Sequence, residues 1–155
     1  MNSSEDNRQM GGSLRETLTA VLRLIIPPSS DGRLPGADAY DLWGYLETAA
    51  PEHRPAIAKD LEQLDLQSQS RFGKDFAALD VPLAKQLVEE LRQAQPEFLG
   101  ELARQTICCY YQQDRVLAAI GMEPRPPFPE GYDVPAGDLS LLDPVRRRGK
   151  LFRDD

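Results

Sequence analysis

Histidine, cysteine and phosphate-binding glycine motifs are scarce or missing in this chain. Its 155 residues include one histidine, His53, and two cysteines, Cys108 and Cys109. A zinc site or an iron–sulfur cluster needs about four suitably spaced nitrogen or sulfur ligands, and neither a GxGxxG nor a Walker sequence occurs. We therefore expect no metal centre, no dinucleotide cradle and no phosphate cradle built by this chain alone.

Long apolar runs and targeting signals are also lacking. The longest apolar run near the start, around residues 21–26, is far below the roughly 20 residues that cross a bilayer. The first residues, MNSSEDNRQMGGS, show neither a secretory nor a twin-arginine signal. Cys108 and Cys109 are neighbours in a predicted helix, where a disulfide between them would be strained. Two free thiols fit a reducing compartment, so we expect a cytoplasmic protein.

Positive charge is in short supply as well. The formal net charge of −7 argues against nonspecific binding to nucleic acid, which depends on lysine and arginine neutralising phosphates. The run VRRRGK at 145–150 is the local exception. We interpret it as a solvated basic patch or as a charged contact to a protein partner through Arg146 and Arg147, with binding to nucleic acid or a membrane as the alternative.

The stretch from Pro96 to Gly121 has the widest apolar surface of the chain. On a helical wheel at about 100° per residue, its apolar side chains form two adjoining stripes: Phe98, Leu102 and Cys109, then Leu99, Ala103, Ile107 and Tyr110. Pro96 suits a first helical turn, Asp114 can cap a short last piece, and Gly121 suits a C-terminal stop. We therefore predict a central helix against which the other segments pack.

Four further helices are predicted around the central one. The first begins near Leu14, after a Ser13–Glu16 capping box, and ends before Pro27. The second covers about 37–50 and the third 56–72, up to Gly73. The fourth runs from Pro82 to Gln95 after an Asp80 cap. The predicted fold is mostly α, a compact bundle of about five helices. We divide the chain into a flexible N-terminus at 1–12, a helical domain at 13–121 and a strap at 122–155.

The strap is rich in proline and has no helical periodicity. It holds six of the thirteen prolines of the chain, which favour extended backbone and lower the entropy lost on docking. We predict an extended segment that packs on the domain or on a partner. Its candidate contact residues are Phe128, Tyr132, Leu139, Leu142 and Phe152, together with the two arginines named above.

The adjacent Tyr110 and Tyr111 are the remaining candidates for a site. Core packing with a hydrogen-bonded hydroxyl is the ordinary expectation for Tyr110, and contact with a partner is the alternative for both rings. Carboxylates such as Glu89 and Glu90 fit a solvated helix face better than a catalytic dyad. No general base accompanies the tyrosines or the cysteines, so the sequence indicates no active site.

Several motifs, in their order and spacing, resemble the gluconate 2-dehydrogenase subunit 3 family. They are LRLIIPPSSDGRLPGA at 22–37, the helix at 98–111 with Thr106 and the paired tyrosines, DRVLAAIG at 114–121 and PEGY at 129–132. The resemblance implies a noncatalytic small subunit with no cofactor of its own. It also implies a larger partner of the glucose–methanol–choline (GMC) type that holds FAD and oxidises a sugar hydroxyl.

Many family members begin with a twin-arginine signal and are thought to export a catalytic subunit that has none. This sequence shows no such signal, so the resemblance favours support of the folding and stability of a cytoplasmic sugar or glycoside dehydrogenase. Two other hypotheses stay open. The chain could be a self-contained helical adaptor or regulator with a different partner, or an enzyme that uses Tyr110, Tyr111 or the cysteines.

Overall fold

The computed structural model describes residues 11–125, 128–129, 131 and 136–148, and these residues contain no β-strand. The chain divides into two units between Pro124 and Arg125. The described part of the first unit forms α1 (Gly12–Ile25), α2 (Leu42–Ala49), α3 (Arg54–Phe72), α4 (Val81–Ala94), α5 (Gly100–Tyr110) and α6 (Asp114–Ala119), with short 3₁₀ turns at Ala37–Ala39, Pro51–His53 and Phe76–Ala78. The prediction of a mostly α bundle is confirmed.

Local signals set several helix ends as predicted. The Asp80 side chain accepts a hydrogen bond from the Leu83 N–H at 2.9 Å and so caps α4. Gly73 ends α3 in the left-handed region, with φ at 66°, where a residue without a Cβ meets no steric penalty. Helix α1 ends at Ile25, ahead of Pro27 and Pro28.

Helix α1 starts close to the predicted Leu14, but the capping box predicted there is wrong. Gly11 is the N-cap and makes no side-chain cap, and Gly12 already belongs to the helix, although the sequence assigned it to a flexible segment. Ser13 lies inside the first turn, and its hydroxyl donates to the Asp65 carboxylate on α3 at 3.2 Å. A contact distant in sequence therefore replaces the capping box. Residues 1–10 lie outside the described part of the chain.

The predicted central helix is interrupted at both ends. Pro96 lies in a turn rather than in a first helical turn, and α5 begins at Gly100. The interruption is at Leu99, whose φ of 56° is left-handed, a conformation that costs a leucine on the order of 1–2 kcal/mol. The Leu99 N–H donates to the Asp60 carboxylate at 3.0 Å, which favours this conformation. At the other end, Asp114 is the first residue of α6 and not its cap.

Helix α5 nevertheless has the central position in the first unit, because it packs against α1, α2 and α3. The core combines one face of each helix with the Phe76 turn. Its large buried side chains are Leu18, Val21, Leu22, Leu42, Leu46, Ile57, Leu61, Leu64, Phe76, Leu87, Leu91, Phe98, Leu99, Leu102, Tyr110 and Val116. On α4 the buried residues are Ala84, Leu87 and Leu91, so the described part of the chain buries one face of this helix.

The second unit is described at 125, 128–129, 131 and 136–148. The prediction that the strap is extended throughout is wrong at 139–146, which form a 3₁₀ turn (Leu139–Leu142) followed by the one-turn helix α7 (Asp143–Arg146). The Asp138 carboxylate accepts the Ser140 N–H at 3.0 Å, and Pro144 occupies the first turn of α7, so the local sequence supports both turns. Extended backbone elsewhere in the strap stays a prediction.

Candidate partner-binding surface

An apolar groove of about 580 Å³ lies on the first unit between α1, α4 and the start of α5. Helix α1 lines it with Val21, Leu24 and Ile25, and α4 contributes Val88. The remaining apolar lining comes from residues 99, 100 and 103 at the start of α5. Its size is within the range of protein sites that receive a ligand or a partner's side chains.

Charged residues line the α4 side of this groove. Lys85, Glu89 and Arg92 all line it. Glu89 accepts a hydrogen bond from the Gln93 amide at 3.3 Å. Among the residues that the structure describes, no acidic group lies within ion-pair distance of Lys85 or Arg92. Two cations seven residues apart on one helix are about 10 Å from each other along its axis.

Small residues open the floor of the groove. Gly100 is the first residue of α5, and Ala103 lies one turn further on. A Cβ added at Gly100 would meet only a Glu97 carboxylate oxygen, at 4.0 Å. The fold therefore does not itself require glycine at position 100. The absence of a side chain there lets the backbone of a partner approach α5 closely.

The exposed side of α5 extends the apolar surface beyond the groove. Ala103, Ile107 and Tyr111 are spaced by one turn, so they lie on the same side of the helix. Ile107 is 48% exposed and Tyr111 is 49% exposed. Side chains of this size are usually covered when a helix packs on a neighbour, so this side is a candidate contact surface.

The two adjacent tyrosines take different places. Tyr110 is 2% exposed, and its hydroxyl donates to the Pro35 carbonyl at 2.8 Å. Its ring meets Tyr40 and Tyr111 edge to face, with centroid distances of 5.8 and 5.2 Å. Burial raises the pKa of the Tyr110 hydroxyl. Of the two candidate residues, only Tyr111 presents its ring on the surface of this chain.

The cysteines are free thiols, as expected. Cys109 is buried, and this burial raises the pKa of its thiol. The amide of Gln113 donates to the Cys109 carbonyl at 2.9 Å. A raised pKa keeps the thiol protonated near neutral pH, which is the opposite of what a reactive thiolate requires.

His53 lies in a polar cluster on the surface. Its Nδ1 is 3.3 Å from the Glu101 carboxylate, and its Nε2 is 3.2 Å from the Arg104 guanidinium. The hydrogen bond from Arg104 is the main reason that the pKa of Glu101 is lowered. Within the described ranges, no three His, Cys, Asp or Glu side chains are grouped so that they could hold a metal ion. The described helices include none with the length and hydropathy of a membrane span.

The remaining candidate residues belong to the second unit. Phe128, Leu139 and Leu142 are exposed, at 85%, 64% and 46%. Arg146 pairs with Asp143 at 3.4 Å, and Arg147 is exposed in the following turn. Tyr132 and Phe152 lie outside the described residues. Contact of these side chains with a partner stays a prediction.

Sequence reasoning missed the groove. Val88 is only half-buried, and both Val88 and Lys85 line the groove. The signal was in the sequence: Val81, Lys85, Val88 and Arg92 recur at intervals of four, three and four, which is one continuous helix face.

Comparison with known proteins gives one family. The family model described as gluconate 2-dehydrogenase subunit 3 matches residues 14–120, which is almost all of the first unit. No curated protein and no solved structure matches the chain.

Proposed function

The chain belongs to the gluconate 2-dehydrogenase subunit 3 family, and on that premise we propose that it is the noncatalytic small subunit of a heteromeric FAD-dependent sugar or glycoside dehydrogenase. A larger GMC-type subunit binds FAD and oxidises a CH–OH group of the sugar. The small subunit supports the folding and stability of that larger subunit. The family match over residues 14–120 is the observation that carries the proposal.

The placement of the reactive side chains supports a noncatalytic role. Burial raises the pKa of both Cys109 and Tyr110, so both groups are held in their protonated forms. A nucleophile or general base is normally activated by a lowered pKa or by an adjacent base. These two groups are therefore suited to packing rather than to chemistry.

The exposed apolar side chains support a role as a subunit. Ile107 and Tyr111 on α5 and the floor of the groove are apolar surface on the first unit. On the second unit Phe128 and Leu141 are 85% and 75% exposed. On each unit, exposed apolar side chains of this size are typical of a contact with another protein.

Two free thiols support the cytoplasm as the compartment of the complex. Cys108 and Cys109 are neighbours on α5 and form no disulfide. Proteins of oxidising compartments commonly have their cysteines paired. We propose that the complex functions where thiols remain reduced.

Co-expression with a GMC-type flavoprotein encoded in the same gene neighbourhood tests the proposal. Size exclusion of the mixture, read at protein and flavin wavelengths, is expected to show one peak that contains both chains and the flavin. This chain purified alone is expected to be colourless and inactive. Separate elution would contradict the proposal and favour a helical adaptor with a different partner, and a yellow, active monomer would favour an enzyme.

A further inference from the structure

We propose that the groove between α1, α4 and α5 binds an amphipathic helix of the larger subunit, whose acidic side chains pair with Lys85 and Arg92. This inference rests on the proposed function, because it requires a larger subunit. It adds the place of contact on this chain and the chemistry of the segment that binds there.

The shape of the surface favours an elongated occupant. Beyond the groove, a second depression of about 450 Å³ lies between the end of α1 and the start of α4. Leu24 and Lys85 line both depressions, so the two adjoin each other. Val81 lines the second one and is 57% exposed. A trough along two helices suits a helix better than a compact small molecule.

The periodicity of α4 favours a helix in particular. Its core side chains are Ala84, Leu87 and Leu91. A second face, made by Val81, Lys85, Val88 and Arg92, lines the two depressions. Spacings of four and three residues are those at which one helix meets another. Gly100 and Ala103 on the floor let the backbone of a docked helix approach α5 closely.

Three charged side chains of α4 line the groove, and two of them are the cations Lys85 and Arg92, so the rim favours acidic residues on the occupant. Lys85 and Arg92 have no ion-pair partner in the part of the chain that the structure describes. The nearby cation Arg23 is already paired with Asp38 at 2.6 Å. Two acidic residues seven positions apart on the docked helix match the spacing of Lys85 and Arg92. Such pairs at a rim increase the association rate and fix the register of docking.

A competition experiment tests the groove without requiring a stable free large subunit. Wild-type chain and a variant are co-expressed with the flavoprotein, and the ratio of the two in the purified complex is measured by intact-mass spectrometry against their total amounts. The charge-reversal variant is K85E/R92E. Its control is K59E/K74E, which changes the net charge equally at two exposed lysines that do not line the groove.

A second variant tests the floor through size rather than charge. Gly100 is exposed and an added Cβ would meet nothing closer than 4.0 Å, so we expect the fold to tolerate Gly100→Leu. Gly12→Leu is the matched control, because Gly12 is also the first residue of its helix and also has room for a Cβ. The two substitutions differ in whether the new side chain enters the groove.

We expect K85E/R92E and Gly100→Leu to be under-represented in the complex by about tenfold or more, and both controls to be incorporated like wild type. Rising salt should reduce the difference in incorporation between wild type and K85E/R92E, and should leave that between wild type and Gly100→Leu unchanged. If both groove variants are incorporated like wild type, the groove inference is wrong while the subunit role stands. If neither wild type nor any variant is incorporated, the groove inference and the subunit role are both wrong. If the variants abolish only self-association of the chain, the occupant is a second copy and the inference is wrong.

Discussion

At the scale of single residues, the contact between Asp60 and Leu99 fixes the start of α5. The carboxylate on α3 accepts the N–H of a leucine held at a φ of 56°. Leu99 is 4% exposed and also lines the groove, so this hydrogen bond links the core to the candidate docking surface. A left-handed leucine persists only where its surroundings determine its conformation.

Replacement of Asp60 should therefore destabilise the chain. Asp60→Ala leaves the buried Leu99 N–H without its acceptor, and we expect the free energy of unfolding to fall by about 1–3 kcal/mol. Asp60→Asn keeps an oxygen acceptor and should lose less. Urea unfolding of the full chain, followed by circular dichroism, measures the change. Glu62→Ala, at an exposed position of the same helix, is the control; equal stability of D60A and wild type would refute this role.

Cys109 should make the stability depend on alkaline pH. Burial raises the pKa of its thiol above the unfolded value, so its contribution is complete below the unfolded pKa and is lost as the pH rises through the folded pKa. The free energy of unfolding should begin to fall near the ordinary thiol pKa of about 8.5.

Urea midpoints measured across this range provide the test, with Cys109→Ala as the variant. Loss of the buried thiol should flatten the fall between about pH 8 and pH 10. Cys108→Ala, which removes the neighbouring thiol, is the matched control. An unchanged slope in C109A would show that another group titrates.

At the scale of elements, the ends of the helices show which features a sequence can predict. Asp80, Gly73 and Pro27 act within a few residues of their own positions, and all three were predicted correctly. Ser13 and Leu99 were not, because their partners Asp65 and Asp60 are 52 and 39 residues away in the chain. Periodicity therefore predicted the helices, while contacts between helices determine the partner of Ser13 and the start of α5.

A pair of substitutions at helix starts tests this difference. Asp80→Ala removes a side-chain cap of α4 and should lower the free energy of unfolding by about 0.5–2 kcal/mol. Ser13→Ala removes only an exposed contact with Asp65 and should cost less than about 0.5 kcal/mol. Thermal unfolding of the full chain measures both. A larger loss in S13A than in D80A would contradict this difference between a local cap and an exposed contact.

The candidate surface was less accessible to sequence reasoning than the fold. The helical wheel of α5 correctly predicted that Tyr110 packs in the core. The same wheel placed Ile107 in an apolar stripe of the central helix, but Ile107 is 48% exposed. The groove needed the relative positions of α1, α4 and α5, which no single helical wheel provides. The sequence shows the second face of α4 only as four residues at helical spacing. That this face lines a groove follows from the positions of α1 and α5.

At the scale of the whole molecule, the chain has features of a part that is completed by a partner. The family match covers 14–120, the groove has rim cations without partners among the described residues, and the described second unit presents large apolar side chains. A domain that functions alone usually keeps such surface small. The proposed larger subunit explains these features together.

The most direct test measures the flavin content and sugar dehydrogenase activity of the large subunit, expressed with and without this chain under the same conditions. The account predicts that the large subunit accumulates as flavin-loaded, active protein only when this chain is present. Supplying the chain on a second plasmid should restore both quantities. A large subunit that is equally flavin-loaded and equally active in its absence would contradict the account.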